Sequence, residues 1–146
     1  MNNSLTEEQV KVLNMSQSVI NEVRKVIIGK DEIIIKVLLS ILAGGHILIE
    51  DIPGVGKTTL AVALSKALSL DYKRLQFTPD VLPTDVTGFT ILNKETHKFE
   101  YKQGAALTNL FLADEINRTS SKTQSALLEV MEEGKVTVDG ITHKMP

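Results

Sequence analysis

The segment Gly54-Val55-Gly56-Lys57-Thr58-Thr59 combines the residue types that grip a polyphosphate. Glycines reach positive φ and carry no Cβ, so successive backbone N–H groups can approach phosphate oxygens. The lysine that follows carries its ammonium to the β- and γ-phosphates, and the threonine hydroxyl beside it is an oxygen ligand of the kind Mg2+ takes. A helix beginning there would add its positive end. The spacing departs from G-x-x-x-x-G-K-[ST] at one place, where Asp51 stands for the first glycine. An ordinary helix-entry turn is the bland alternative, yet Gly-x-Gly-Lys-Ser/Thr arises by chance in only about one chain of this length in several hundred. Pro53, Gly54, Val55, Gly56, Lys57, Thr58 and Thr59 are therefore assigned to a nucleoside triphosphate.

A second segment supplies acids. Asn109-Leu110-Phe111-Leu112-Ala113-Asp114-Glu115 is an apolar run ending in two carboxylates, as a buried strand delivering them at its C-terminal edge would be. In nucleotide hydrolases such an Asp holds Mg2+, usually through water, and a Glu one residue later can polarise the attacking water. Alone, Asp-Glu after an apolar run reads as a solvated strand end; paired with the upstream loop it becomes a site. Lys57, Asp114 and Glu115 form the candidate catalytic set, with Thr58 and Asp114 on the metal. A guanine reader would need Asn-Lys-x-Asp, and the nearest string, Asn93-Lys94-Glu95-Thr96, lacks the final acid. The acid pair also favours hydrolysis by water over transfer to a substrate hydroxyl, so ATP hydrolysis is expected.

The elements needed to position these groups are legible around them. His46-Ile47-Leu48-Ile49-Glu50 reads as a strand leading into the glycine turn, and Leu60 to Leu70 as the helix leading out. Upstream, Thr6 with Gln9 forms a capping box, and Leu5 with Val10 is placed to staple the entry of a helix from about Glu7 to Val26, whose apolar face carries Leu13, Ile20 and Ile27. A second, very apolar helix opens at Lys30-Asp31 and ends at Gly44-Gly45. Tyr72 to Gln76 reads as a strand. Thr90-Ile91-Leu92 and Lys98-Phe99-Glu100-Tyr101 flank a polar turn and predict a hairpin over about 89–101. Ser121 with Gln124 predicts a capping box for a helix ending at Gly134, and Asp139-Gly140 predicts a type I′ turn within a hairpin over about 135–145.

Composition sets limits. A chain of 146 residues is one domain with room for a core. With 16 basic and 18 acidic residues its net charge is −2, which leaves no electrostatic footprint for nucleic acid. It has no cysteine, hence no disulfide framework or thiol-rich metal site, and His46, His97 and His143 lie too far from other ligands to bind metal. No apolar run approaches the roughly 18 residues of a membrane span, and Met1-Asn2-Asn3-Ser4 is no secretory signal. A cytoplasmic soluble protein is the default expectation.

Several blocks together resemble the signatures of MoxR-type AAA+ ATPases: Glu50 to Thr58, Gln76-Phe77-Thr78-Pro79-Asp80-Val81-Leu82-Pro83-Thr84-Asp85-Val86-Thr87-Gly88, Asp114 to Arg118, and Lys122 to Glu133. The resemblance runs from Val26 to the end of the chain, and Asp51 is a substitution that family commonly shows. It implies a P-loop α/β/α parallel sheet with the Walker A motif at 51–58, Walker B at 110–115 and two inserted β-hairpins that project from the core and move a partner. It implies that Ile27, Ile28 and Gly29 lie against adenine. From their positions, Gln76 and Thr78 at the end of the second strand are candidates to tether Glu115 until a partner binds, and Asn117 and Arg118 either shape the water site, face a neighbouring subunit or merely cap the helix at Ser120. ATP and Mg2+ are the implied cofactors, a hexameric ring the implied assembly, and a protein with a von Willebrand factor A domain the implied partner in chaperone-like remodelling. A nucleotide-dependent switch with little turnover, or a DNA-processing relative with salt-sensitive duplex binding, are the alternatives.

In that family the module continues into a sensor strand, an arginine finger, a further strand and a helical lid, in the strand order 5-1-4-3-2. The sequence stops at Pro146, before the counterparts of these. The expectation is an N-terminal part of a longer ATPase, with the sheet cut before its fourth strand and doubtful turnover on its own.

Overall fold

The structure, a computed structural model, describes residues 5–50 and 56–146. The expected phosphate-loop residues Pro53, Gly54 and Val55 lie outside the described residues, as does Asp51. The chain divides into two compact units, residues 1–70 and 71–146.

The first unit is built on helices α1 (Glu7–Arg24), α2 (Asp31–Leu42) and α3 (Lys57–Ala67). The reciprocal box that starts α1 is formed: Gln9 N–H donates to Thr6 Oγ1 at 3.3 Å and Thr6 N–H to Gln9 Oε1 at 2.9 Å. Such a cap is worth about 1 kcal/mol. Ile34, Val37, Leu38 and Ile41 recur at helical spacing on α2 and pack with Ile20 and Val23 of α1, Ile27 of the turn that follows it, and Leu60 and Leu64 of α3. Leu13, expected on the buried face of α1, is exposed, because the cluster begins only a turn and a half later at Val19 and Ile20. Between α1 and α2 the chain turns at Gly29, and Arg24 grips Asp31 with two donors at 2.9 Å. The second helix closes as expected: Gly45 N–H reaches Ser40 O at 2.9 Å and Gly44 N–H reaches Ile41 O at 3.0 Å.

The strand expected at His46–Glu50 is not formed; the segment is irregular, with Leu48 76 % exposed. Apolar composition favours a strand only where a neighbouring backbone offers a ladder, and the sheets among the described residues pair other segments.

The second unit carries the sheets. β1 (Tyr72–Gln76) pairs in parallel with β4 (Leu110–Asp114), Tyr72 opposite Leu110 and Gln76 opposite Asp114. Between them come α4 (Pro83–Thr87), a short helix the sequence did not announce, and the hairpin β2 (Gly88–Asn93) with β3 (Lys98–Gln103). A 3-10 turn at Ile116–Arg118, helix α5 (Ser121–Glu133) and the hairpin β5 (Lys135–Val138) with β6 (Ile141–Lys144) follow. Asp139 and Gly140 both have positive φ, as the expected I′ turn requires. The cap of α5 sits one residue earlier than expected: Ser120 Oγ, not Ser121, accepts from Thr123 N–H at 3.3 Å. Gln124 is then free of the cap and reaches elsewhere. Alternation along the parallel pair sends Leu75, Phe111 and Ala113 to the core formed with Phe77, Val86, Leu107, Leu127, Val130 and Val136, and Tyr72, Arg74, Gln76 and Asp114 to the opposite face.

The junction between α4 and the first hairpin is tight. Gly88 has φ +92°, and a Cβ there would stand 2.6 Å from Tyr101 Oη and 2.7 Å from Gly104 N. Gly104 is closed in the same way by Val86 O and Gly88 N, so two backbones meet where no side chain fits.

Candidate functional site

In the first unit the described end of the phosphate loop is Gly56, the N-cap of α3, at φ +85°. A Cβ added there would meet nothing within 4 Å, so backbone conformation, not space, calls for glycine. Its carbonyl accepts from Leu60 N–H at 2.8 Å, which starts the helix. Gly56 has no side chain with which to cap α3, and the first-turn amides of Lys57, Thr58 and Thr59 are among the donors an α-helix leaves without intrahelical partners. Beside them lies a narrow crevice lined by Ile27, Lys30, Ile33, Ile49, Gly56, Lys57 and Leu60. The structure thus brings Ile27 to the same crevice as Gly56 and Lys57. Ile28 is 87 % exposed and outside that lining.

In the second unit, Asp114 ends β4 and Glu115 follows at φ +57°, ψ +40°. The left-handed region costs a non-glycine residue roughly 1 kcal/mol and is met at functional turns. It turns the chain into the 3-10 segment, where Arg118 N–H donates to Glu115 O at 3.0 Å. Gln124 Nε2 braces that segment from α5, donating to Ile116 O at 3.1 Å and to Thr119 O at 3.4 Å. The fully buried Thr123 donates its hydroxyl to Val81 O at 2.8 Å, fastening the loop after β1 to the same helix. Asn117 and Arg118 are exposed.

The group that meets the acids is one the sequence did not single out. Arg74, on β1, donates to Asp114 Oδ2 through Nη2 at 2.7 Å and Nε at 3.2 Å. This bond to Asp114 holds the guanidinium protonated beyond its ordinary range. Next along the same face is Tyr72, whose buried hydroxyl has no hydrogen-bond partner among the described residues; burial raises its pKa above 10.0. No hydrogen bond among the described residues joins Gln76 or Thr78 to Glu115. The available signal was the position of Arg74, two residues before Gln76 in a strand candidate, but it becomes informative only once the register with β4 is known.

Among the described residues no group of three or more His, Cys, Asp or Glu could hold a metal alone. Each unit offers one oxygen donor of the kind Mg2+ takes: Thr58 carries a hydroxyl in the first turn of α3, and Asp114 a carboxylate at the end of β4. No helix among the described residues is long and apolar enough to cross a membrane.

Comparison with known proteins gives a concordant result. The family described as ATPase family associated with various cellular activities (AAA) matches residues 46–146. The uncharacterized protein YeaC of Bacillus subtilis is 56 % identical over 126 residues, covering 86 % of this chain and 39 % of YeaC. Chaperone MoxR1 of Mycobacterium tuberculosis is 42 % identical over 125 residues, covering 86 % of this chain and 33 % of that protein. A crystal structure of a candidate ATPase from Cytophaga hutchinsonii superposes with a TM-score of 0.79 at 41 % identity, covering 97 % of this chain and 45 % of the other. The chain therefore spans less than half the length of the relatives it matches.

Proposed function

Because the chain belongs to the AAA family of ATPases, in its MoxR-type branch, we propose that it binds Mg·ATP, hydrolyses the β–γ anhydride and couples that cycle to chaperone-like remodelling of partner proteins. One observation carries this: a left-handed Gly56 opens α3 with Lys57 and Thr58 in its first turn and Ile27 in the narrow crevice beside them. A helix start of this kind supports the reading of a phosphate seat, and Ile27 beside it supports an adenine side.

In the proposed cycle Pro53, Gly54, Val55, Gly56 and Thr59 offer backbone to the phosphates, and Lys57 neutralises the β- and γ-oxygens. Ile27, Ile28 and Gly29 form the adenine side. Thr58 and Asp114 would hold magnesium, Asp114 through water, and the ion would supply further charge neutralisation on the same oxygens. Glu115 takes a proton from water as its oxygen attacks the γ-phosphorus; the bond to the bridging oxygen breaks and ADP leaves with the electron pair. Similarity to the protein named chaperone MoxR1 supports the remodelling part of the proposal. A homo-oligomeric ring, probed as a hexamer, would bring an arginine from an adjacent subunit, and a von Willebrand factor A domain protein is the partner to test first.

Nucleotide binding and phosphate release by wild type, Lys57→Ala and Glu115→Gln test the proposal. Lys57→Ala should lose ATP binding. Glu115→Gln should keep binding while release falls by about 100-fold or more. Unchanged ATP binding by Lys57→Ala would sink the phosphate seat. In the assembled ring, equal, near-zero release by wild type and Glu115→Gln, with binding intact, would mark a nucleotide-dependent switch instead.

A further inference from the structure

The carboxylate proposed to face magnesium already has a cation. Arg74 places both Nη2 and Nε on Asp114 Oδ2, from the neighbouring strand and on the same face of the sheet. Asp114 is only 18 % exposed, so water screens the pair weakly from that side, while Arg74 is 40 % exposed and has room to swing away. An arginine cannot relieve such a pair by losing its proton; the pair must be shared or opened. A divalent ion arriving alone would meet the guanidinium charge at the same carboxylate, with no cluster of acids among the described residues to outweigh it. A metal carried on a triphosphate brings several negative charges that offset both cations.

We propose that Arg74 is a positioning residue that acts as the resident counter-ion of Asp114, barring lone divalent cations from that carboxylate and releasing it only to a metal delivered on nucleotide. The inference rests on the reading of Asp114 as the metal-side acid. It gives Arg74 a role in the order of binding: metal and nucleotide enter together, and free metal does not preload the acid.

The test uses Mn2+ as the probe, without nucleotide, on the 146-residue chain, with free ion read by electron paramagnetic resonance. Arg74→Gln should bind Mn2+ about fivefold more tightly than wild type, the effect of removing one partly exposed pair. Arg74→Lys, which keeps the charge without the fork, should stay near wild type. Adding Asp114→Asn to Arg74→Gln should remove the gain. Thermal melts followed by circular dichroism establish that each variant is folded. Unchanged or weaker Mn2+ binding by folded Arg74→Gln overturns the proposal, as does an equal gain in Arg74→Lys. A gain that survives Asp114→Asn overturns the assignment of Asp114 to the metal. The phosphate seat is judged separately, by metal-free ATP binding to wild type and Lys57→Ala, so its failure is distinguishable from failure of the counter-ion role.

Discussion

The ring of Tyr101 lies flat on the imidazole of His143, centroids 3.8 Å apart and planes 14° from parallel. Tyr101 belongs to β3 and His143 to β6, so the stack joins the two hairpins that the sequence treats as separate insertions. Val136, opposite His143 in its own hairpin, is buried in the unit's core and anchors that side. The two hairpins are thus one body at their bases. Replacing His143 with Ala should lower the stability of the second unit by about 1 kcal/mol, the value of an aromatic pair. Urea denaturation followed by tyrosine fluorescence measures it, and an unchanged midpoint would show that the stack contributes nothing.

Tyr101 also donates its hydroxyl to Thr87 O, and burial raises its pKa above the ordinary 10.0. Tyr72 shifts in the same direction for the same first cause. The unfolded chain then releases these protons at lower pH than the native one. Their contribution is complete below about pH 10, and it drains away as pH climbs through the raised native values. Melting temperature should therefore fall on the alkaline side more steeply in wild type than in Tyr101→Phe. Parallel alkaline limbs would show that the phenol is not held in its neutral form.

At the junction of α4 and β2, Gly104→Ala should be far worse than an average surface change. The new methyl would press on Val86 O and Gly88 N, both backbone, so the hairpin base must move. A loss of about 3 kcal/mol or more is expected, as for overpacking with no flexible neighbour. Gly45→Ala, whose Cβ would stand 3.5 Å from Ser40 O, is the mild control. Equal melting temperatures for the two variants would refute the steric account.

Glu115 offers a way to separate strain from chemistry. With the residue at φ +57°, Glu115→Gly should be more stable than Glu115→Ala by about 1 kcal/mol, since only glycine takes that region freely. Both should lack turnover if the carboxylate serves water. Thermal melts and phosphate release are read on the same samples. A melting order of Ala above Gly would contradict the left-handed turn.

What the sequence disclosed, and what it withheld, follows the distance over which each feature is decided. The Thr6–Gln9 box, the closure at Gly44 and the Asp139-Gly140 turn involve residues within a few positions, and their local chemistry named them correctly. The strand Leu110–Asp114 was legible as one apolar run. His46–Glu50 has the composition of a strand, but a strand is a relation between two backbones, and composition reports one of them. Arg74 and Asp114 are 40 residues apart, and only the register of the parallel pair brings them together. Thr123 and Gln124 looked like parts of a cap. The shift of that cap to Ser120 places Thr123 in the core and turns Gln124 towards the Glu115 turn.

The parallel pair β1–β4 is pinned at both ends. At one end Asp71 O accepts from Leu110 N–H at 3.0 Å and from Thr108 Oγ1 at 2.9 Å, and Asn109 Oδ1 accepts from Asp71 N–H; at the other, Phe77 N–H donates to Asp114 O at 2.8 Å. A slip by one residue would swing Asp114 into the side occupied by Leu75 and Phe111. Because both ends are clamped, the outer tip at residues 94–97 can grow, shrink or accept a graft without retuning the acids. The tip can therefore vary in length and sequence while the strand register beneath it stays fixed.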